Sequence, residues 1–213
     1  MKNYSLIIEK SNEIYNRSSE KYGHSSSAVL WDDQQSQYIR FGQIIKHINF
    51  DDGTTILDVG CGNAELYKFL NFNGFKGKYT GFDINDSLLE QAKLQYKNID
   101  CQNVDILNCN ETNKYDYVVV SGLFNSNYGQ DMKWFFNMLE ALNKFSNKKI
   151  IFNAISNYVN FKDKSLFYID PKEVLDFIIQ NISSNVSIMH GELPYNFTCV
   201  IDKSQQWKSL NRE

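Results

Sequence analysis

Apolar and polar positions change period partway along the chain, and the change divides it into two stretches. Residues 4–20 read as a helix in which Leu6, Ile7, Ile14 and Tyr15 share a face. A polar hinge, Gly23-His24-Ser25-Ser26-Ser27, leads to a second helix over about residues 32–48, where Ile39, Phe41, Ile44, Ile45 and Ile48 keep helical spacing. From Asp51 onward short apolar runs alternate with helical periods. Residues 55–59, 79–83, 100–104, 117–121 and 150–154 read as strands, with helices over 64–72, 87–96 and about 130–145. Ser87 and Glu90 have capping-box spacing, which predicts the start of the middle helix. Residues 117–121 show no polar alternation, as expected of a strand covered on both faces. Asp170-Pro171 predicts an N-cap followed by proline at the first helical position, opening a helix to about residue 181. The runs 186–189 and 197–201 have no clear helix between them and read as an antiparallel pair at one edge. The pattern predicts an α/β fold with a doubly wound, mostly parallel sheet.

Composition narrows the class. The 213 residues are 42% hydrophobic, 22% charged and 15% aromatic, a balance that excludes disordered and fibrous chains. No repeat or low-complexity linker interrupts the pattern, so the expected organisation is a helical N-terminal flap over 1–48, a core over 49–203 and a polar tail over 204–213. The net charge is −3 and Lys and Arg are scattered, so no general field draws the protein to nucleic acid or anionic lipid. Cys61, Cys101, Cys109 and Cys199 form no CxxC pair or zinc-finger rhythm, so reduced thiols, no metal and a cytoplasmic setting are expected. The N-terminal run is broken by charge after three apolar residues, so no signal peptide is expected. No uncharged apolar stretch approaches the ~20 residues of a membrane span.

In a doubly wound sheet, ligands bind beyond the C-terminal ends of the strands, where strand order reverses. The first strand runs into Asp58-Val59-Gly60-Cys61-Gly62-Asn63-Ala64. Gly60 and Gly62 permit a tight turn and close backbone approach, and the following helix offers free amides. Asp83, 23 residues beyond Gly60, ends the second strand and can accept both hydroxyls of a ribose. A dinucleotide site wants a third glycine at position 65, and Glu65 stands there instead, opposing a pyrophosphate. Asp58 at the strand tip suits a cationic ligand. A nucleoside with a sulfonium and an amino-acid tail, such as S-adenosylmethionine, fits that polarity.

The run 56–66, ILDVGCGNAEL, resembles the first motif of class I S-adenosylmethionine-dependent methyltransferases. YTGFDIND (79–86) is similar to their second motif, NVDIL (103–107) to the third and YDYVVVSGLFN (115–125) to the fourth. The segment 21–41, with KYG, LW, QQ and RF, resembles the amino-terminal flap of a bacterial small-molecule subgroup, and DPKEVLDFI and FTCVI resemble its later half. The resemblance implies a seven-stranded Rossmann-like sheet with an antiparallel terminal pair. It also implies a cofactor site made of Asp58, Gly60, Cys61, Gly62, Asp83 and Ile84, with Asp105 and Ile106 at the adenine and Ser121 and Gly122 bordering it. Tyr22, Trp31, Gln35 and Arg40 are the flap residues it points to; Trp31 reads equally as a core position, and Arg40 as a partner of the methionine carboxylate or as a salt-bridging residue on the helix surface. Ala64 replaces a glycine found in many members, and the fourth motif lacks the [DN]PP[FYW] signature of exocyclic-amine methylation. No Pro-Cys pair is present, which excludes cytosine-C5 chemistry.

The acceptor side is less sharply marked. His190, His24 and Tyr128 are candidates for a catalytic base or acceptor contact, with Asp131 a further acceptor-side candidate, while His47 reads as a partner of a helix C-terminus. Trp134-Phe135-Phe136 reads as packing. A small-molecule or sugar-type acceptor is expected, with O-methylation ahead of N-methylation and without nucleic acid or membrane as partner. The competing classes are a binding module without turnover and a nicotinamide oxidoreductase; Glu65 and Asp58 disfavour the second.

Overall fold

A computed structural model describes residues 2–22, 34–110 and 113–204, and for residues 2, 3 and 19–22 the backbone alone. Its fourteen elements build one sheet with helices packed on both faces. After helices α1 (Lys2–Tyr22) and α2 (Gln34–Ile45) come β1 (Thr55–Val59), α3 (Glu65–Phe72), β2 (Lys78–Asp83), α4 (Asp86–Gln95) and β3 (Asp100–Asn103). Then follow β4 (Tyr115–Val120), α5 (Met132–Phe145), β5 (Ser146–Ser156), β6 (Tyr168–Ile169), α6 (Pro171–Asn181), β7 (Val186–His190) and β8 (Asn196–Asp202).

The strand order is β3-β2-β1-β4-β5-β8-β7, with β6 paired to β5 off this path. β1 to β5 run parallel, while β8 is antiparallel to both β5 and β7. The order reverses between β1 and β4, which creates a crevice at their C-terminal ends. The sheet therefore has eight strands rather than seven. The additional strand, β6, is two residues long, too short to leave a periodic signal.

Side chains alternate between the two faces along the central strands. On β4, Tyr117 and Val119 join a cluster with Phe41, Leu66, Leu70 and Leu89 from α2, α3 and α4. Val118 and Val120 point the other way, to Phe135, Leu139 and Leu142 of α5 and Val174 and Ile178 of α6. Such two-sided burial explains the unbroken apolar run of β4. In the 134–136 run, Phe135 is fully buried and Trp134 and Phe136 pack against the same cluster.

Two local expectations are corrected. The middle helix, α4, begins at Asp86, and its cap is Asn85, whose side chain accepts from the amide of Leu88. Ser87 thus lies inside the helix, and its spacing to Glu90 does not mark the boundary. On α1, the inward stripe is Tyr4, Ile7, Ile8, Ser11 and Tyr15, while Leu6 and Ile14 remain 45% and 41% exposed. At 100° per residue Leu6 falls nearly opposite that stripe and Ile14 at its margin. Asp170, in contrast, caps α6 as expected, accepting from the amide of Lys172 with Pro171 at the start of the helix.

Candidate active site

A cavity of about 350 Å³ opens at the reversal point, between the tips of β1, β2 and β4 and beneath α1 and α2. Backbone conformation shapes its floor. Gly60, Gly62 and Ala64 adopt φ of 76°, 53° and 63°, so three of five consecutive residues are left-handed. A Cβ on Gly60 would come 3.1 Å from Leu123 Cβ, so this position is restricted by contact as well as by φ. The amides of Gly60 and Cys61 both donate to Phe82 O, at 2.7 and 3.1 Å, which ties the loop to the end of β2. No side chain caps α3 where the loop enters it.

Three aspartates line the cavity around this loop, and Asp83 bonds to it directly. Asp83 Oδ2 accepts from the amide of Gly62 at 2.8 Å and Oδ1 from that of Asn85 at 2.9 Å. The parallel pairing of Asp58 with Gly81 brings the β1 acid beside β2, where Asp58 Oδ2 accepts the Tyr79 hydroxyl at 2.8 Å. Asp58 is 2% exposed, and burial pushes its carboxyl up to about 7, against the opposing pull of Tyr79 and with the help of Asp83. Burial also raises Asp83, although the amides of Asn85 and Gly62 oppose it. Both carboxylates are thus more costly to ionise than ordinary ones until a positive group arrives. Asp105, in the loop after β3, accepts from the Leu107 amide at 3.1 Å and from Asn108 Nδ2 at 2.6 Å.

Asp58, Gly60, Cys61, Gly62, Asp83, Ile84, Asp105, Ile106, Ser121 and Gly122 all line the cavity, as do Arg40 and Tyr128. Ser121 Oγ is 3.1 Å from Asn153 Oδ1, which fixes it at the end of β4. Gln35 is not brought to the cavity: it is on the exposed side of α2, and Gln37, two residues on, lines the cavity in its place. His24 and Trp31 lie outside the described residues, as does the side chain of Tyr22.

The placement expected for His190 is corrected. It is the exposed last residue of β7, with its ring 6.2 Å from that of Tyr158, and it is not part of the cavity lining. β7 is the edge strand, three strands from β4, roughly 14 Å at ordinary strand spacing. Asp131 is also placed elsewhere: it caps α5, accepting from the Trp134 amide at 2.8 Å. Burial and then Lys149 push the His47 imidazole below its usual range, so it is a poor cation for the end of α2.

Several cavity residues were not singled out in the sequence. Tyr4 donates to Asp105 Oδ1, and Asn85 Nδ2 reaches Asn16 Oδ1 at 2.8 Å, so α1 is joined to both sides of the β2 tip. Tyr15 on α1 interacts with Tyr128 and Ser126 at the opposite end. Gln37 Oε1 and Asn63 Nδ2 are buried polar atoms without a hydrogen-bonding partner among the described residues. An orphan of either kind is costly to leave unpaired, and both line the cavity, where a polar ligand could pair them. Their only early signal was the helical phase of α2 and the position of Asn63 in the glycine loop.

Fold and crevice define a Rossmann-like nucleotide-binding architecture. The sequence makes it more specific: residues 50–213 match the family model described as a methyltransferase domain. The chain belongs to that family, the class I S-adenosylmethionine-dependent methyltransferases. A protein of Mycobacterium tuberculosis that bears a methyltransferase name is 29% identical over 164 residues, covering 74% of this chain and 98% of its own length. The Listeria monocytogenes demethylmenaquinone methyltransferase is 24% identical over 171 residues, covering 71% of this chain and 70% of its own. Among solved structures, the magnesium protoporphyrin IX methyltransferase of Synechocystis with bound S-adenosylmethionine has the same fold, with a TM-score of 0.69 at 14% identity over 94% of this chain and 96% of that one. The N-methyltransferase NodS of Bradyrhizobium japonicum, in complex with S-adenosylhomocysteine, gives 0.67 at 12% over 92% and 100%.

Proposed function

We propose that this methyltransferase acts on a small-molecule acceptor and that its cavity holds both reactants under α1. The observation that carries the reading is that Asp58, Asp83 and Asp105 line one cavity with the glycine loop, to which Asp83 is bonded. Asp83, anchored by two amides, keeps its oxygens toward the cavity for the ribose hydroxyls. Ile84 and Ile106 flank the adenine, and Asp105 meets its amino group. Asp58 balances the positive end of the ligand, and Arg40 pairs its carboxylate. Asn63 Nδ2 and Gln37 Oε1 supply a donor and an acceptor that the chain itself leaves unused.

Bound there, S-adenosylmethionine supplies a sulfonium methyl group for in-line transfer, the C–S electron pair leaving on sulfur. The protein's part is alignment and exclusion of water, from which effective molarities of roughly 10⁵–10⁸ M are available. Helix α1, placed over the cavity through Tyr4, Ile7, Ile8, Ser11 and Tyr15, serves as the flap. Tyr15, Asn125, Ser126 and Tyr128 line the part of the cavity left for the acceptor, and none of these four is an imidazole or a carboxylate. Burial raises Tyr15 well above its usual range, so it remains a neutral phenol. An oxygen acceptor suits this end when it arrives already ionised, as a carboxylate or phenolate.

The test is transfer of label from S-[methyl-³H]-adenosylmethionine into the small-molecule fraction of a cell extract, followed by mild base. Base-labile volatile label identifies a methyl ester, and base-stable label in a phenol ether also supports an oxygen acceptor. Label in methylated amines contradicts the oxygen preference. Label in nucleic acid alone contradicts the small-molecule acceptor.

A further inference from the structure

Arg40 is the one cation among the described residues that line the cavity, where the acids are Asp58, Glu65, Asp83 and Asp105. It is 9% exposed, on the buried stripe of α2 with Gln37, Phe41 and Ile44. Its position does not rest on α2 alone. Nε and Nη2 both donate to Asn196 Oδ1, at 3.2 and 2.7 Å, across 156 residues of sequence. Asn196 is equally buried, at 9% exposure, and its own amide is fixed: Nδ2 donates to Pro194 O at 2.7 Å. That bond sets which end of the amide faces the guanidinium.

The backbone around Asn196 is held just as firmly. Its amide donates to Leu193 O at 3.1 Å, its carbonyl accepts from Gly191 at 3.2 Å, and it pairs with Ile155 at the end of β5. Tyr195 takes a left-handed φ of 62°, and its carbonyl accepts from Ser156 at 2.8 Å. The first residue of β8 thus directs its side chain onto α2.

We propose that Asn196 is a positioning residue for the cofactor: it aims Arg40 at the cofactor's carboxylate and so sets the preference for a ligand that carries one. This rests on the assignment of Arg40 to that carboxylate made above. The chemistry of the grip favours the role. A neutral amide oxygen holds two of the guanidinium's five donors and orients the fork without cancelling its charge, as an Asp would. Burial strengthens the attraction between Arg40 and an anion beside it.

The experiment is calorimetric titration with S-adenosylmethionine and with its decarboxylated analogue, which differs by the carboxylate alone. Wild type is expected to prefer the carboxylate form. Asn196→Ala weakens that form about tenfold, the scale of one charged hydrogen bond, and leaves the analogue within twofold. Arg40→Ala weakens it at least as much, and Asn196→Ala adds little in the Arg40→Ala background, since the two act through one contact. Equal weakening of both ligands by Asn196→Ala, or additive losses in the double variant, overturns the proposal. If Asn196→Ala does not fold, Asn196→Asp gives the same decision: neutralising Arg40 must narrow the preference, and an unchanged preference overturns the role. Absence of any preference in wild type and in Arg40→Ala overturns the Arg40 assignment itself. Failure of wild type to bind either ligand overturns the cofactor site.

Discussion

Tyr79 donates its hydroxyl to Asp58 Oδ2 over 2.8 Å, joining β2 to the β1 tip inside the cavity wall. The carboxylate it holds is poised near neutrality, at about 7, because burial outweighs that hydrogen bond. Folding therefore raises this pKa from 3.8, and the folded chain binds the proton more tightly than the unfolded one. Ligand-free stability accordingly falls as pH rises from about 4 to about 7, and under the role proposed for Asp58 cofactor binding strengthens over the upper part of that range.

Titrations between pH 5.5 and 7 check the coupling. Affinity for S-adenosylmethionine is expected to rise with pH, by at most about tenfold per unit, with proton release on binding. Asn in place of Asp58 should flatten that slope and weaken binding while raising ligand-free stability at pH 7.5 by about 1–3 kcal/mol. A variant as steep in pH as wild type would remove Asp58 as the titrating group.

On the proposed adenine assignment, Tyr4 and the nucleoside share one acceptor, Asp105. Its hydroxyl donates to Asp105 Oδ1, the carboxylate assigned to the adenine amino group, and burial and Asp105 together keep the phenol protonated. Phenylalanine at this position is expected to tighten adenosine binding about fivefold, because the contact exists only before the ligand arrives. Weaker binding by Tyr4→Phe would mean that the tyrosine remains in contact with the bound nucleoside.

Gly81 supports the glycine loop from behind. A Cβ there would lie 2.7 Å from Cys61 Sγ and 2.9 Å from Cys101 Sγ. Gly81→Ala is expected to cost about 1–3 kcal/mol in urea unfolding and to weaken cofactor binding, since Cys61 must move. Cys101→Ala in the same chain should recover part of the stability. No loss from Gly81→Ala would contradict this close packing.

The parts legible in the sequence were those with a local period or a local chemical logic. The unbroken apolar run of β4, the Asp170-Pro171 start of α6 and the passage from β1 into glycines each depend on neighbours in sequence. The cap of α4 was hidden because Ser87 and Glu90 imitate a capping box, whereas the Asn85 side chain caps the helix and also reaches Asn16, 69 residues away. Gln37 and Arg40 depend on the rotation of α2 about its axis, and its apolar positions alone left room for Gln35. His190 was given the correct end of the sheet, since β7 runs parallel to β5, but strand order placed it at the edge. Asn196 could not be found locally, because the atom it holds belongs to a residue 156 positions earlier.

The most direct measurement of the central claim is calorimetric titration of the protein, and of its Asp83→Ala variant, with S-adenosylmethionine, S-adenosylhomocysteine and NAD. Micromolar binding of the first two, none of NAD, and a loss of at least about tenfold in the variant are expected, the last because two ribose hydroxyls lose a charged acceptor. Binding of NAD alone, binding of none of the three, or unchanged affinity in Asp83→Ala would contradict the account.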